Sequence, residues 1–215
     1  GGTIAPTDDK DQPLFERSAQ VVVDEAYRQL SHEVSHDSVT GLINRKGFMQ
    51  RLHQIAARHD ENTHYVCILE FDQFRVIYNN CGAEAGESLT RTLANEIQSF
   101  AGHDHVLASL QDDMFALLVF QHNRIQVLEF ANKLLKRFQN FRFDHGNERY
   151  SIGVNIGLAE YATMHSSPEE AIRNADAACQ IAIQAGRNRV QRYDAGNELL
   201  RAQQNLMHWA GRIDQ

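Results

Sequence analysis

The chain has 215 residues, of which 42% are apolar and 23% charged, and a formal net charge of −7. That length holds one substantial domain plus helical extensions rather than two full domains, and the acidic balance argues against a nucleic-acid backbone or an anionic membrane surface as partner, since both call for clustered Lys and Arg. No apolar run approaches the roughly 20 residues that span a bilayer, no secretory leader pattern opens the chain, and Cys67, Cys81 and Cys179 are too scattered for a paired site, which suits packing roles in a reducing cytoplasm.

Gly1 to Gln12 are small, polar and acidic, and residues 1–13 read as a leader outside the fold, with Gly1-Gly2 a cloning remnant. From Leu14 to Ser35, Phe15, Ala19, Val22, Ala26 and Leu30 recur at three- and four-residue steps, which predicts an amphipathic linker helix over 14–36. A lone helix of that length is marginal in water, so its stripe needs a partner: the domain itself or the same helix of a second subunit. Arg45 to Arg58 is helical by period, and Tyr65 to Phe71 is a short, nearly continuous apolar run that predicts a buried strand. Glu87 to Phe100 returns to helix. Val106 to Leu110 and Phe115 to Phe120 form a predicted hairpin around Gln111-Asp112-Asp113-Met114. A helix from Ile125 to Phe138 follows, then strand-like stretches around Phe141 to Phe143 and Tyr150 to Leu158. Ser167-Pro168-Glu169-Glu170 carries a cap, a proline at the first helical position and a capping-box glutamate, opening a helix that ends at Gly186. Val190 to Tyr193 predicts an edge strand, and Glu198 to Asp214 a final amphipathic helix with the only tryptophan, Trp209. The alternation implies an α/β (α+β) domain with a central mixed, mainly antiparallel sheet flanked by helices.

Phosphate-loop, nucleophile-elbow and paired-cysteine motifs are absent, and His103-Asp104-His105 reads as a solvated polar turn. The informative residues lie elsewhere. The run from Asp37 to Phe48 resembles the D-x-L-T-G-L-x-N-R-x-x-F opening of the GGDEF family of diguanylate cyclases. The resemblance continues through Glu70 to Ile77 and Gly82 to Gly86, and closes with Ala175-Asp176 and Gly186-Arg187-Asn188, so it covers about residues 37–195 in order. It implies a nucleotide-cyclase-like fold. Active members of that family condense two GTP molecules into cyclic di-GMP, one held by each half of a dimer.

That chemistry needs metal-binding carboxylates, a glycine turn that lets the backbone approach phosphates, and cations for the polyphosphate. Against the family pattern, the signature hairpin is replaced by Gln111-Asp112-Asp113-Met114-Phe115, with both glycines gone and Met114 at the acidic fourth position. The resemblance places Glu70 and Asp113 at the two metal positions, and Phe71, Tyr78, Glu87 and Arg187 at nucleotide-contacting ones, where Tyr78 and Glu87 stand for the guanine-reading Asn and Asp. Ile183 replaces the lysine expected to meet phosphate, and Gly102-His103-Asp104-His105 replaces the R-x-x-D product site. Each lost charge-assisted contact removes about 1.5–3 kcal/mol. The expectation is therefore a catalytically inactive regulatory module that needs no cofactor, with Mg2+ relevant only if GTP binds. The alternative is a GTP-sensing domain, and residual cyclase activity is the remote third. Met207 to Gln215 resembles the W-x-x-R-I connector that precedes an EAL phosphodiesterase domain. The expected partners are therefore neighbouring sensor and EAL domains, with residues 196–215 as the connector, and a homodimer through the first helix.

Overall fold

The computed structural model describes residues 14–196 and 206–207. After helix α1 (Leu14–Ser35) and α2 (Arg45–Ala57), strand β1 (Thr63–Phe71) leads into two helices, α3 (Phe74–Cys81) and α4 (Ala83–Ala101). The hairpin β2 (Val106–Gln111) and β3 (Met114–Val119) is followed by α5 (Arg124–Gln139), and a short ribbon of β4 (Arg142–His145) and β5 (Glu148–Ser151) precedes β6 (Val154–Ala162). Helix α6 (Pro168–Gln184) and β7 (Val190–Arg192) complete the described elements. Among the described residues the main sheet has the order β2-β3-β1-β6-β7, antiparallel throughout except for the parallel β6–β7 pair.

Strand β1 sits at the centre and is covered on both sides, which is why its sequence is nearly all apolar rather than alternating. Tyr65, Cys67, Leu69 and Phe71 face a core shared with Ile77 of α3, Leu89 and Leu93 of α4, and Val127 and Phe138 of α5. Val66 and Ile68 face Phe48 and Leu52 of α2 and Ala175 and Cys179 of α6. The second layer is close. A Cβ on Gly157 of β6 would lie 2.1 Å from the Ala175 carbonyl oxygen, so α6 seats directly on the strand backbone. Tyr161 anchors the same layer by donating its buried hydroxyl to the Leu52 carbonyl at 2.8 Å.

The helix predicted over Glu87 to Phe100 begins earlier, at Ala83, and α3 precedes it, joined to it through Gly82 at φ +90°. Each of these helices buries its own apolar side, and the short stretch before Gly82 is too brief to display a helical period. The stretch from Tyr150 to Leu158 divides into β5 and β6 on either side of Gly153, whose carbonyl accepts from Asp72 N at 2.9 Å, and β5 pairs with β4 instead of the main sheet. Ser167 caps α6 by accepting from Glu170 N, but the reciprocal capping box belongs to Asn123 and Gln126 at the start of α5. Cys67 and Cys179 are buried as expected for packing residues, whereas Cys81 is half-buried with its sulfur 3.3 Å from the Tyr150 hydroxyl. The stripe of α1 finds no cover from the domain: Val22, Leu30 and Val34 stay exposed, as does Tyr27. The predicted leader over 1–13 lies outside the described residues, as does the connector helix over Glu198 to Asp214 apart from Leu206 and Met207.

A candidate nucleotide groove at the end of the sheet

The C-terminal end of β1 and the β2–β3 turn come together at one end of the sheet. Glu70 is paired with Met114, and Phe71 N donates to the Asp113 carbonyl at 2.9 Å. The turn is two residues, Asp112 and Asp113, tighter than the four-residue span expected from sequence. It is pinned to α4 by the Thr90 hydroxyl, which donates to the Asp112 carbonyl at 2.7 Å. Facing it is α3. The Tyr78 ring lies across Gly86, where an added Cβ would meet Tyr78 Cδ2 at 2.8 Å and Phe74 Cζ at 3.4 Å. Between helix and turn is an open groove of about 410 Å3, lined by Phe74, Arg75, Tyr78, Asn79, Gln111, Asp112 and Asp113.

The groove is electrostatically one-sided. Burial raises the Glu70 carboxyl above its ordinary range, and repulsion from Asp113 adds to this; one Glu70 oxygen accepts from Gln180 Nε2 at 3.1 Å. Asp113 is raised as well, first by burial and then by Asp112, and Arg75 offsets only part of this. Two carboxylates that resist ionisation side by side form an oxygen-rich donor set suited to a hard divalent cation. Among the described residues no group of three or more His, Cys, Asp or Glu is placed to hold a metal ion.

Arg187 is turned to another task. It leaves α6 in the left-handed conformation at φ +66°, after Gly186 at φ +120°, and its guanidinium donates to Asp72 Oδ1. Buried Asn155 completes the knot: its Nδ2 donates to the same Asp72 oxygen and to the Glu70 carbonyl, both at 3.2 Å, and its Oδ1 accepts from Asn188 N at 2.8 Å. Asp72, Asn155 and Gln180 belong to this cluster but are not among the site residues named from the sequence. Asn155, a polar residue inside an apolar strand run, was the available signal.

Of the residues singled out from sequence, Glu70, Tyr78, Gln111, Asp112 and Asp113 converge on or beside the groove. Four others are placed differently. Phe71 contributes its backbone there, but its ring packs edge-on against Phe115 and Phe138 in the core. Met114 is buried among the residues under α2 and α6, and Phe115 is fully buried on the opposite face. Glu87 lies on the exposed side of α4, 3.6 Å from Arg91. The His103-Asp104-His105 turn is not simply solvated: His105 is half-buried, its Nδ1 accepts from Phe120 N at 3.3 Å, and its ring packs on His122 and Phe130.

A mixed sheet covered on both faces, with carboxylates at the end of its central strand opposite a hairpin turn, defines a nucleotide-cyclase-like domain. The family described as "Diguanylate cyclase, GGDEF domain" matches residues 34–189, and the chain belongs to that family. It is 30% identical over 187 residues to the cyclic di-GMP phosphodiesterase PdeB of Shewanella oneidensis, covering 87% of this chain and 22% of that protein. It is 29% identical over 165 residues to the bifunctional diguanylate cyclase/cyclic di-GMP phosphodiesterase MucR of Pseudomonas aeruginosa, covering 76% of this chain and 24% of that protein. The chain thus spans less than a quarter of either relative. The crystal structure of the coiled coil and GGDEF domain of DgcB from Caulobacter crescentus in complex with c-di-GMP superposes with a TM-score of 0.74 at 24% identity, over 83% of this chain and 96% of that one. That likeness establishes the fold. No helix of the described residues is long and apolar enough to cross a membrane.

Proposed function

We propose that this domain is a catalytically inactive regulatory module of cyclic di-GMP signalling, passing signals from α1 through the GGDEF core to a downstream EAL phosphodiesterase domain. The observation that carries this reading is the charge of the groove. Among its lining residues Arg75 is the only cation, beside Asp112 and Asp113, while Arg187 is held by Asp72 and Ile183 supplies no charge. A triphosphate brought there meets carboxylates where catalysis needs cations aimed at the transferring group. Met114 adds to the argument: its side chain serves the core, so no carboxylate stands at that position to accept a proton. The donor set of Glu70 and Asp113 fits a divalent cation but not a polyphosphate, and the domain requires neither in this reading. The exposed stripe of Val22, Leu30 and Val34 favours a second copy of α1 as the partner through which the signal enters, and the kinship with PdeB and MucR favours an EAL neighbour. Incubation of the chain with GTP and Mg2+, followed by chromatography, is expected to yield no cyclic di-GMP. Sustained product overturns the reading.

A second reading, a GTP sensor without turnover, is favoured by the open groove and by the raised carboxyls of Glu70 and Asp113, whose repulsion a bound Mg2+ would relieve. Calorimetry separates the two. Heat on adding GTP with Mg2+ that disappears in Glu70→Ala and Arg187→Ala supports the sensor, whereas no heat at millimolar nucleotide ends it.

A further inference from the structure

We propose that His32 and His36 form a transition-metal site where α1 enters the domain. The run His32-Glu33-Val34-Ser35-His36 sets two imidazoles four residues apart, and on a helix such residues stand one above the other on a single face. Helical zinc sites use the H-E-x-x-H spacing for that reason. Here the two rings are stacked, with centroids 3.7 Å apart and planes 9° from parallel. His36 Nδ1 lies 3.1 Å from the His32 carbonyl oxygen and 2.9 Å from Ser35 Oγ. In the tautomer whose Nδ1 donates to that carbonyl, which only accepts, Nε2 keeps its lone pair. Metal-ligating histidines are oriented in this way, the other ring nitrogen donating to a backbone carbonyl. The stacked rings aim their in-plane lone pairs in parallel, so binding requires the exposed His32 side chain to change rotamer until a free ring nitrogen converges with His36 Nε2.

No third His, Cys, Asp or Glu joins the pair among the described residues, so water completes the coordination sphere. Two imidazoles select Cu2+, Ni2+ or Zn2+ over Mg2+, which separates this site from the carboxylates of the groove. Zinc hydrolysis needs a third protein ligand, so the role is binding rather than catalysis. The location gives binding a consequence. Asn44 donates from its backbone to the Ser35 carbonyl at 2.8 Å and from its side chain to the Val34 carbonyl at 2.9 Å, and an added Cβ on Gly47 would meet the Ser35 oxygen at 2.5 Å. A metal bridging His32 and His36 holds this last turn of α1 in helical form, and with it the Val34 and Ser35 carbonyls on which Asn44 seats the start of α2.

Calorimetric titration of the untagged 215-residue chain with ZnCl2 and CuCl2 tests this. One ion binds per chain, copper more tightly than zinc, and excess MgCl2 does not compete. His32→Ala and His36→Ala each weaken binding by about tenfold or more, since even outer-shell partners of a metal act on that scale; His103→Ala leaves it unchanged. Nitrogen couplings in the electron paramagnetic resonance spectrum of the copper form fall from two to one in each variant. Circular dichroism melting without metal shows whether the variants fold. The proposal is overturned if the His32→Ala/His36→Ala double variant binds like the parent chain, if binding follows His103, or if the parent chain binds no ion.

Discussion

The two ends of β1 treat polar side chains in opposite ways. At its start, His64 is fully buried with both ring nitrogens engaged: Nδ1 accepts from Gln121 N at 3.0 Å, and Nε2 faces Asp60 Oδ2 at 2.9 Å as the donor. The Phe120 ring meets it edge-on. At its finish, Glu70 and nearby Asp113 are held above their usual ionisation range by burial and by neighbouring carboxylates. The first end is closed by the protein itself. The second leaves its charge only partly compensated, by Gln180 and Arg75, the condition that marks a candidate ligand site. A polar residue in a sheet is thus structural or ligand-facing according to whether the chain supplies its partners.

The body of the sheet sets the scale against which both ends are measured. Gly157→Ala puts a methyl 2.1 Å from the Ala175 oxygen and 2.3 Å from Cys179 N, both backbone atoms of α6. It is expected to cost about 3 kcal/mol, the upper part of the overpacking range, read from urea denaturation. At the closed end, His64→Ala strips Gln121 N of its acceptor and Asp60 Oδ2 of its donor, while Asp60 Oδ1 keeps Asn62, and about 2 kcal/mol is expected, chiefly for the Gln121 N–H left without a partner. A loss near zero there breaks the comparison, because His64 would then be as dispensable as a surface residue. At the open end the sign reverses. A carboxyl raised in the folded state disfavours folding as pH climbs through its folded value, and imposes nothing in acid, where folded and unfolded chains are both protonated. Asp113→Asn should therefore raise the melting temperature slightly near neutral pH, with the gain vanishing as pH falls below the ordinary carboxylate range. A melting temperature lowered by Asp113→Asn at neutral pH shows that the carboxylate has a partner and that the two ends are alike.

Much of this was legible in the residues. The apolar run of β1, the Ser167-Pro168 start of α6 and the ordered motifs from Asp37 to Asn188 pointed to the sheet, its helices and the family. The substitutions at Gln111, Asp112 and Ile183 also stood in plain view. The run His32-Glu33-Val34-Ser35-His36 was in view too, yet neither histidine was among the residues singled out. What escaped depends on contacts distant in sequence. Arg187 looked like a retained phosphate ligand until Asp72, 115 residues away, took its guanidinium, and Met114 looked like a groove residue until strand pairing turned it into the core.

Periodicity, the start of α6 at Ser167 and the chemical identity of every side chain at the groove could be read along the chain, because these are properties of sequence neighbours. Which of those side chains share a volume, and hence which charges cancel and which repel, follows from the packed fold alone. Burial and electrostatic coupling fall off over a few ångströms of space and take no account of separation in sequence.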